Sequence, residues 1–217
     1  MHLREGLYFC IANERVVFLD LFKDRYFCLQ SELDRQFQTL LSGQVDGTDR
    51  SLCEQALTDQ GLLTLSQPCA PMPTAAVAAP QFSALTSLSA KVLLPSMIEA
   101  TVFQVMSQRD FKRRPLWEII ADFTTPAQTP AKVRTPQALA NCVTAFHRAT
   151  RIVTTQDQCL RSSIAFVRFA KRQGLSAHLV IGVRMFPFGA HAWAQDGDCV
   201  LNDSLDAVRP YTPILVV

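Results

Sequence analysis

The sequence has no excess of charge of either sign and no long apolar run. Its 217 residues carry 21 basic and 19 acidic side chains, a net charge of +2, without the basic footprint of a nucleic-acid-binding protein. No stretch reaches the roughly 18 apolar residues of a membrane span, and no secretory signal opens the chain. We therefore expect a cytoplasmic protein that has neither nucleic acid nor membrane as its partner.

Paired cysteines and a phosphate-binding loop are also missing. The seven cysteines are scattered and form no CxxC pair, which disfavours both a disulfide scaffold and a zinc ribbon. We expect most of them to be reduced core residues, with no metal site. The sequence contains no P-loop, so we expect neither an intrinsic cofactor nor ATP-dependent activation by this chain itself.

A segment rich in proline and alanine divides the chain. Residues 66–81 hold four of the twelve prolines and no charged residue, a composition typical of a linker. The chain is long enough for two domains. We therefore predict a small domain at 1–65, a linker at 66–84 and a larger domain at 85–217.

The first domain combines short strands with helices. Its predicted elements are strands over 7–11, 16–21 and 25–29, a helix from Ser31 to Gly43, a second helix over 48–59 and a short apolar run at 62–65. Ser31, followed three residues later by Asp34, resembles a capping box. The prediction is a three-strand meander followed by two helices.

This order, together with the stretch RYFCLQSELDRQF, resembles the winged-helix-like recognition domain of enzymes that process ribosomally made peptides. The resemblance implies that a leader peptide adds a strand to the third strand and packs beside the last helix. The residues it implies for leader binding are Tyr26, Phe27, Cys28, Leu29, Leu52 and Leu57. An ordinary winged helix that binds DNA is the alternative interpretation of the same order.

The second domain begins with helices and contains a cysteine at a helix start. Apolar residues recur at helical spacing over 84–107, with Pro95 expected to kink or divide that helix. Residues 157–173 predict a further helix, which Gly174 ends. Cys159 falls in its first turn, where free N–H groups and the helix dipole favour a thiolate.

An apolar strand and a hairpin follow, with His191 on the first arm of the hairpin and Asp203 just past the second. A two-residue turn at 196–197 would pair His191 with Asn202, whereas a three-residue turn at 196–198 would pair it with Asp203. We predict that His191 lies opposite Asp203, through the three-residue turn or a bulge with the same effect, because a carboxylate that orients the imidazole would complete a thiol-activating site.

Four short motifs carry a second resemblance. They are CLRSS at 159–163, HLVIGV at 178–183, HAW at 191–193 and LND at 201–203. Over about 85–217 the chain resembles the lasso-peptide leader peptidases, the B proteins of lasso-peptide biosynthesis, which are transglutaminase-like cysteine proteases. The implied fold is α+β, with a papain/transglutaminase-like protease domain after the recognition domain.

The resemblance also implies the role of each site residue. Cys159 is the nucleophile, His191 the general base and then acid, and Asp203 the residue that orients His191. We add Gln156, three residues before the cysteine, as a candidate oxyanion donor. Gln195 departs from the acidic residue that many members of that family carry after HAW.

The implied function is removal of the leader from a ribosomally made lasso-peptide precursor. The implied partners are this precursor and an asparagine-synthetase-like cyclase, through which ATP could influence activity. Two alternatives remain open: an acyltransferase or transglutaminase with the same three residues, and a leader-binding chaperone without catalysis. A zinc site formed by His178, His191 and Cys199 is disfavoured because no metal-binding spacing is met.

Overall fold

The structure of the chain is a computed structural model that describes residues 2–43, 47–64, 77–87, 94–124, 135–150 and 158–217. The chain divides into two compact units, Met1–Ala75 and Ala76–Val217. Helices and strands occur in both units, which confirms the prediction of a mixed α and β protein. None of the helices in the described ranges has the length and apolar character needed to cross a bilayer.

The first unit contains two small antiparallel sheets and two helices. Along the chain its elements are β1 (His2–Leu3), β2 (Leu7–Ala12), β3 (Arg15–Asp20), β4 (Arg25–Cys28), α1 (Ser31–Ser42), α2 (Gly47–Asp59) and β5 (Leu63–Thr64). Strands β2, β3 and β4 form a meander in that order, and β1 pairs with β5. The predicted meander and both predicted helices are therefore present, whereas the pairing of β1 with β5 was not predicted.

Phenylalanine side chains form the centre of this unit. The Phe18 ring on β3 lies 5.2 Å, centroid to centroid, from both Phe27 on β4 and Phe37 on α1. Phe9 meets Phe37 edge-on at 5.1 Å. Phe18 and Phe37 are fully buried, and aromatic pairs in such arrangements contribute about 0.5–1.5 kcal/mol beyond their burial. One helix is thereby fixed on one face of the meander.

The predicted capping box at Ser31 is wrong. Helix α1 has Gln30 as its N-cap, without a side-chain capping bond. The buried Asp34 carboxylate instead accepts the backbone N–H of Val16 at 2.9 Å and lies 3.4 Å from the Arg15 guanidinium. A carboxylate reaching from a helix to a strand satisfies a buried N–H and joins the two elements.

The second unit is a five-stranded sheet with helices. Its elements are β6 (Phe82–Ser83), a 3-10 turn at Ala84–Ser87, α3 (Leu94–Arg113), α4 (Leu116–Thr124), α5 (Pro136–Thr150), α6 (Cys159–Arg172), β7 (His178–Arg184), β8 (Gly189–Asp196), β9 (Cys199–Val200), α7 (Leu205–Val208) and β10 (Thr212–Val216). The strand order is β10-β7-β8-β9-β6. Among the described strands of this sheet, β6 alone runs parallel to its neighbour, β9.

Pro95 does not divide α3. The helix runs without interruption from Leu94 to Arg113, and Pro95 is its second residue. In the first turn a backbone N–H has no partner within the helix, so the missing N–H of proline costs little there. The prediction of a kink inside this helix is wrong, whereas a division of the predicted 84–107 helix before Pro95 would fall on residues 88–93, which lie outside the described residues.

The predicted linker extends too far towards the C-terminus. Residues 65–76 lie outside the described ranges. In contrast, Val77 packs against the core of the second unit, and Phe82 and Ser83 form strand β6. The backbone N–H of Gln81 donates to the Asp198 carbonyl at 2.8 Å. The segment 77–83 is therefore part of the sheet unit.

Helix α6 is buried on more than one side, as the sequence predicts. Ile164, Phe166, Val167 and Phe169 are fully buried. The Phe166 ring meets Phe146 of α5 edge-on at 5.1 Å. Because a helix held by packing on several sides cannot rotate freely, the position of its first residue, Cys159, is determined by the core.

Candidate active site

Cys159 is the first residue of α6. Burial by itself raises the pKa of its thiol, because burial disfavours the charged form. Hydrogen bonds from the His191 side chain and from the backbone N–H groups of Ala192 and Leu160, with the charge of His191, outweigh that effect and hold the pKa below its usual value. The surroundings of Cys159 therefore favour a thiolate.

His191 lies between a thiol and a carboxylate. Its Nε2 is 2.7 Å from Oδ2 of Asp203, and both side chains are largely shielded from solvent. The hydrogen bond to Asp203, followed by that to Cys159, raises the pKa of His191 to about 9, against the opposing effect of burial. At neutral pH the imidazole is thus held protonated beside the sulfur. Because Nε2 faces Asp203, Nδ1 is the nitrogen that serves the thiol.

The hairpin turn differs from both registers considered for the sequence. Asp196 pairs with Cys199, so the turn consists of Gly197 and Asp198. Gly197 has φ +59°, a left-handed conformation that glycine adopts without strain. The prediction of a three-residue turn is wrong.

Asp203 reaches His191 without being its ladder partner. Strand β9 ends at Val200, and one further bond joins the Leu201 N–H to the Ala194 carbonyl at 2.8 Å. Beyond this bond the chain bends away from β8, and the Asp203 side chain turns back to the imidazole. One carboxylate oxygen of Asp203 meets His191, and the other accepts the Ser204 N–H at 2.7 Å.

A buried hydrogen-bond network joins α6 to β8 behind the site. The Ser163 hydroxyl donates to the Ala192 carbonyl at 2.9 Å and accepts from Nδ2 of Asn202 at 2.9 Å. The Asn202 side-chain oxygen accepts the Ala194 N–H at 2.7 Å. Every bond in this chain links elements that carry Cys159, His191 or Asp203. Sequence reasoning missed these roles, although Ser163 and Asn202 stand in the CLRSS and LND motifs.

Gly182 and two aromatic rings support His191 from the sheet face. Gly182 is paired with His191 in the ladder between β7 and β8. The His191 ring lies 5.2 Å from the Tyr211 ring and 6.2 Å from the Trp193 ring, centroid to centroid. Trp193 is almost completely buried. These contacts restrict the imidazole to the side of the strand on which Asp203 lies.

A cleft of about 480 Å³ opens over these residues. It is lined by Gln158, Cys159, Ser162, Ser163, Ala190, His191, Ala192, Asn202 and Asp203. The cleft therefore brings together the three residues that the sequence nominates as nucleophile, base and orienting carboxylate.

The candidate oxyanion donor Gln156 lies outside the described residues. Gln158, which the sequence reasoning passed over, lines the cleft immediately before Cys159. Its side-chain oxygen is buried without a hydrogen-bond partner. Its place in the sequence, directly before a candidate nucleophile that begins a helix, could have identified Gln158 as a site residue.

The predicted leader-binding residues differ in exposure. Cys28 is exposed, Tyr26 and Phe27 are half-buried on β4, and Leu52 is 60 % exposed on α2. Leu29 and Leu57 belong to the hydrophobic core, with Leu57 fully buried. The expectation that the Leu57 side chain lines a groove is therefore wrong, because this side chain offers no surface to a peptide.

Metal binding finds no support in the described residues. Within them no group of three or more His, Cys, Asp or Glu side chains could hold a metal ion. His178, the candidate zinc ligand, is an exposed residue at the start of β7. Free thiols among the described residues include Cys10, Cys28, Cys53, Cys142 and Cys159.

The model of the transglutaminase-like superfamily matches residues 101–216, a little over half of the chain. This protein belongs to that superfamily. The matched range includes Cys159, His191 and Asp203, whose side chains share the cleft. The transglutaminase-like unit thus contains all three nominated catalytic residues.

One curated relative is the microcin J25-processing protein McjB from Escherichia coli, which is 43% identical to this chain over 49 residues. That alignment covers 23% of this chain and 24% of McjB, so the chain matches about a quarter of the relative's length. No solved structure matched the chain significantly.

Proposed function

We propose that this protein is a cysteine peptidase that removes the leader from a ribosomally made lasso-peptide precursor. The observation that carries the proposal is the hydrogen-bonded series Cys159, His191, Asp203 inside an open cleft. Membership of the transglutaminase-like superfamily and the partial similarity to the microcin J25-processing protein support it. An activated thiol beside a protonated imidazole is the arrangement that thiol acyl transfer needs.

The chemistry uses each residue at a defined step. The Cys159 thiolate attacks the carbonyl carbon of the scissile amide, which forms a C–S bond. The protonated Nδ1 of His191 gives its proton to the departing amine as the C–N bond breaks. Water then attacks the carbonyl carbon of the thioester and gives a proton to His191. The C–S bond breaks, the leader leaves as a carboxylic acid, and the Cys159 thiolate is restored. Asp203 holds the imidazole in position through Nε2 and stabilises its protonated form.

The developing oxyanion needs donors at the start of α6. The first N–H groups of a helix have no partner within the helix and carry the positive end of its dipole. The backbone N–H of Cys159 is one donor in this proposal. Gln156 remains the second candidate, and the Gln158 amide, which lines the cleft, is an alternative.

In this proposal the first unit recognises the leader and acts as the winged-helix-like recognition domain of a peptide-processing enzyme. Strand β4 forms an edge of the three-stranded sheet, so a peptide can add to it through main-chain hydrogen bonds. In this proposal Tyr26, Phe27 and Cys28 present that edge, and the exposed Leu52 contributes an apolar contact. The side chains of Leu29 and Leu57 would act only as support from the core.

Two partners follow from the proposal. The precursor peptide is the substrate, and its freed core amine would pass to an asparagine-synthetase-like cyclase that uses ATP. Any effect of ATP on leader removal would then act through that cyclase, because this sequence has no P-loop.

The test is a mass-spectrometric time course with a lasso precursor peptide. Wild type and a Cys199→Ala variant should release the leader, whereas Cys159→Ala should leave the precursor intact. Cys199 is a suitable control because it is another cysteine of the same unit and lies on strand β9. Uncut precursor with all three proteins, even after addition of the cyclase and ATP, would contradict a peptidase function.

Acyl transfer to an amine is the second candidate function. The match to the transglutaminase-like model supports it. The same thioester would then react with an amine in place of water. Addition of a primary amine to the same time course separates the two reactions, because the amide and acid products differ in mass.

The alternative of a non-catalytic leader-binding chaperone is tested by measuring the affinity of the protein for the leader peptide. Leu52→Glu should weaken leader binding, whereas Leu41→Glu should not, although Leu41 is also an exposed leucine of the first unit at 43%. Normal binding by a protein whose Cys159 reacts no faster than an ordinary thiol would support the chaperone function.

A further inference from the structure

Ser83 contacts Asp203 from a distant part of the chain. The Ser83 hydroxyl donates to the backbone carbonyl of Asp203 at 2.6 Å, although the two residues are 120 positions apart. Ser83 is only 8% exposed, and its oxygen also accepts the Leu85 N–H at 3.2 Å. Both capacities of the hydroxyl, donor and acceptor, are therefore used.

Asp203 has little other support from the main chain. Strand β9 ends at Val200, and the last sheet-like bond in this region is made by the Leu201 N–H. The Asp203 side chain contacts His191 and the neighbouring Ser204 N–H. Among the described residues, the bond from Ser83 is thus the long-range contact made by the main chain of Asp203.

Ser83 itself is firmly held. Strand β6 pairs with β9, with Ser83 opposite Val200. The N–H groups of Gln81 and Phe82 both point to the Asp198 carbonyl, at 2.8 and 3.3 Å. A donor on a segment fixed in this way can hold its acceptor in one position.

We propose that Ser83 is a positioning residue that holds Asp203 in the orientation needed to engage His191. This inference rests on the proposed function for its catalytic meaning, since Ser83 does not touch the reacting atoms. Without its hydroxyl, the bend that carries Asp203 loses an anchor. A shift of about 1 Å in a catalytic group can lower a rate by as much as a hundredfold.

The experiment compares Ser83→Ala with wild type in two readouts. The first is the pH dependence of Cys159 alkylation by iodoacetamide, and the second is the titration of the His191 ring by NMR. Asp203 is the largest cause of the raised His191 pKa. Ser83→Ala should therefore move the His191 titration to lower pH by about half a unit or more. Because His191 lowers the pKa of Cys159, the acid limb of the alkylation profile should move to higher pH. In the peptidase assay kcat should fall roughly tenfold with KM unchanged.

Three further variants make the test specific. Ser83→Thr keeps the hydroxyl and should restore the wild-type titration. Ser83→Cys fills a similar space with a weaker donor and should shift the His191 titration by an intermediate amount. This variant replaces Ser83→Ala in the test if Ser83→Ala does not fold. Thr86→Val removes a hydroxyl bond to the Ser83 carbonyl in the same segment, 2.8 Å long, and should leave the His191 titration unchanged.

The two proposals fail in different ways. An unchanged His191 titration in folded Ser83→Ala or Ser83→Cys would overturn the role of Ser83, whatever the peptidase assay gives. A shifted titration in a protein that never cleaves the precursor would support the role of Ser83 and count against the leader peptidase.

Discussion

Gly182 lies directly opposite His191 between β7 and β8, and the Trp193 ring occupies the space above it. A Cβ atom at position 182 would lie 2.9 Å from the indole ring and 3.0 Å from Cβ of Tyr211. We predict that Gly182→Ala destabilises the transglutaminase-like unit by about 1–3 kcal/mol, because overpacking in a buried site displaces its neighbours. Urea unfolding followed by tryptophan fluorescence measures this change.

Gly189→Ala is the matched control for that prediction. Its Cβ would lie 3.2 Å from the Nε atom of Arg184, a flexible side chain that can give way, and at ordinary van der Waals distance, 3.7 Å, from the Tyr211 hydroxyl. Equal decreases of the unfolding midpoint in both variants would show that the close contact with Trp193 does not determine which side chain position 182 can accommodate.

Asp203→Asn should narrow the pH range of activity. In the proposed mechanism the active form needs an ionised Cys159 and a protonated His191. Activity should then fall in acid as the thiol protonates and in alkali as the imidazole loses its proton. The alkaline limit lies near the His191 pKa of about 9, which Asp203 raises more than any other group. Replacing the carboxylate lowers this pKa, and the alkaline limit of kcat/KM should move to lower pH.

The control for this prediction is Asp206→Asn. The Asp206 carboxylate is 96% exposed and belongs to the same short segment, and its removal should leave the profile unchanged. Because Cys159 and His191 interact, both limits are properties of the pair. An alkaline limit that stays in place in Asp203→Asn would contradict the assigned role of Asp203.

Gln195→Glu should destabilise the second unit at neutral pH. The buried Gln195 amide donates to the carbonyls of Ala78 and Gly197, each at 2.7 Å, and its oxygen accepts the Trp193 indole N–H at 2.8 Å. A carboxylate can accept the indole N–H but cannot donate to either carbonyl. We expect a loss of about 1–3 kcal/mol in the free energy of unfolding.

The loss should depend on pH in a defined direction. The buried glutamate would have a folded-state pKa above its unfolded value of about 4.3, so the folded state would bind a proton more readily. The variant should therefore recover stability relative to wild type as the pH falls through the raised pKa. A constant difference between pH 4 and pH 8 would contradict this interpretation.

Asp20→Asn should weaken the first unit. The buried Asp20 carboxylate contacts the Arg4 guanidinium at 2.8 Å and accepts the Lys23 N–H at 3.2 Å. Burial alone raises the pKa of this carboxyl, but these bonds and the two positive charges lower it overall. Its stabilising contribution is present above pH 3.8, the ordinary value, and is lost as the pH falls through the lowered pKa.

Hydrogen exchange measured by mass spectrometry tests this in the intact protein. Amides of β2 and β3 should exchange faster in Asp20→Asn, consistent with a loss of about 1–3 kcal/mol. Asp24→Asn is the control, because Asp24 is exposed and has φ +47°, a conformation that asparagine tolerates well. Equal exchange rates in wild type and Asp20→Asn would show that the Arg4–Asp20 ion pair does not stabilise the first unit.

The elements of this fold were largely predictable because their apolar residues follow clear periods. The three-strand meander, α1, α2 and α6 each follow such a pattern. The two-residue strands β1 and β6 were not predicted, because a pair of residues has no period. Their pairing depends on contacts between distant parts of the chain.

The site illustrates a different limit of sequence reasoning. The motifs were sufficient to nominate Cys159, His191 and Asp203, and these side chains do share one cleft. The hairpin register was predicted incorrectly, because His191 and Asp203 were expected to face each other across the ladder. A side chain on an irregular bend can reach a strand residue with no such constraint. Ser83 could not be predicted, since it lay in the supposed linker.

The attachment of the 77–83 segment to the sheet determines where this chain can be shortened. A fragment starting at residue 85, the boundary suggested by composition, would lack β6, the Val77 side chain in the core and the Ser83 hydroxyl. It would still contain all three nominated catalytic side chains. A crystallographer or enzymologist who chose that boundary could record a weak enzyme and attribute the weakness to a missing partner, when the missing part is a short length of the protein's own sheet.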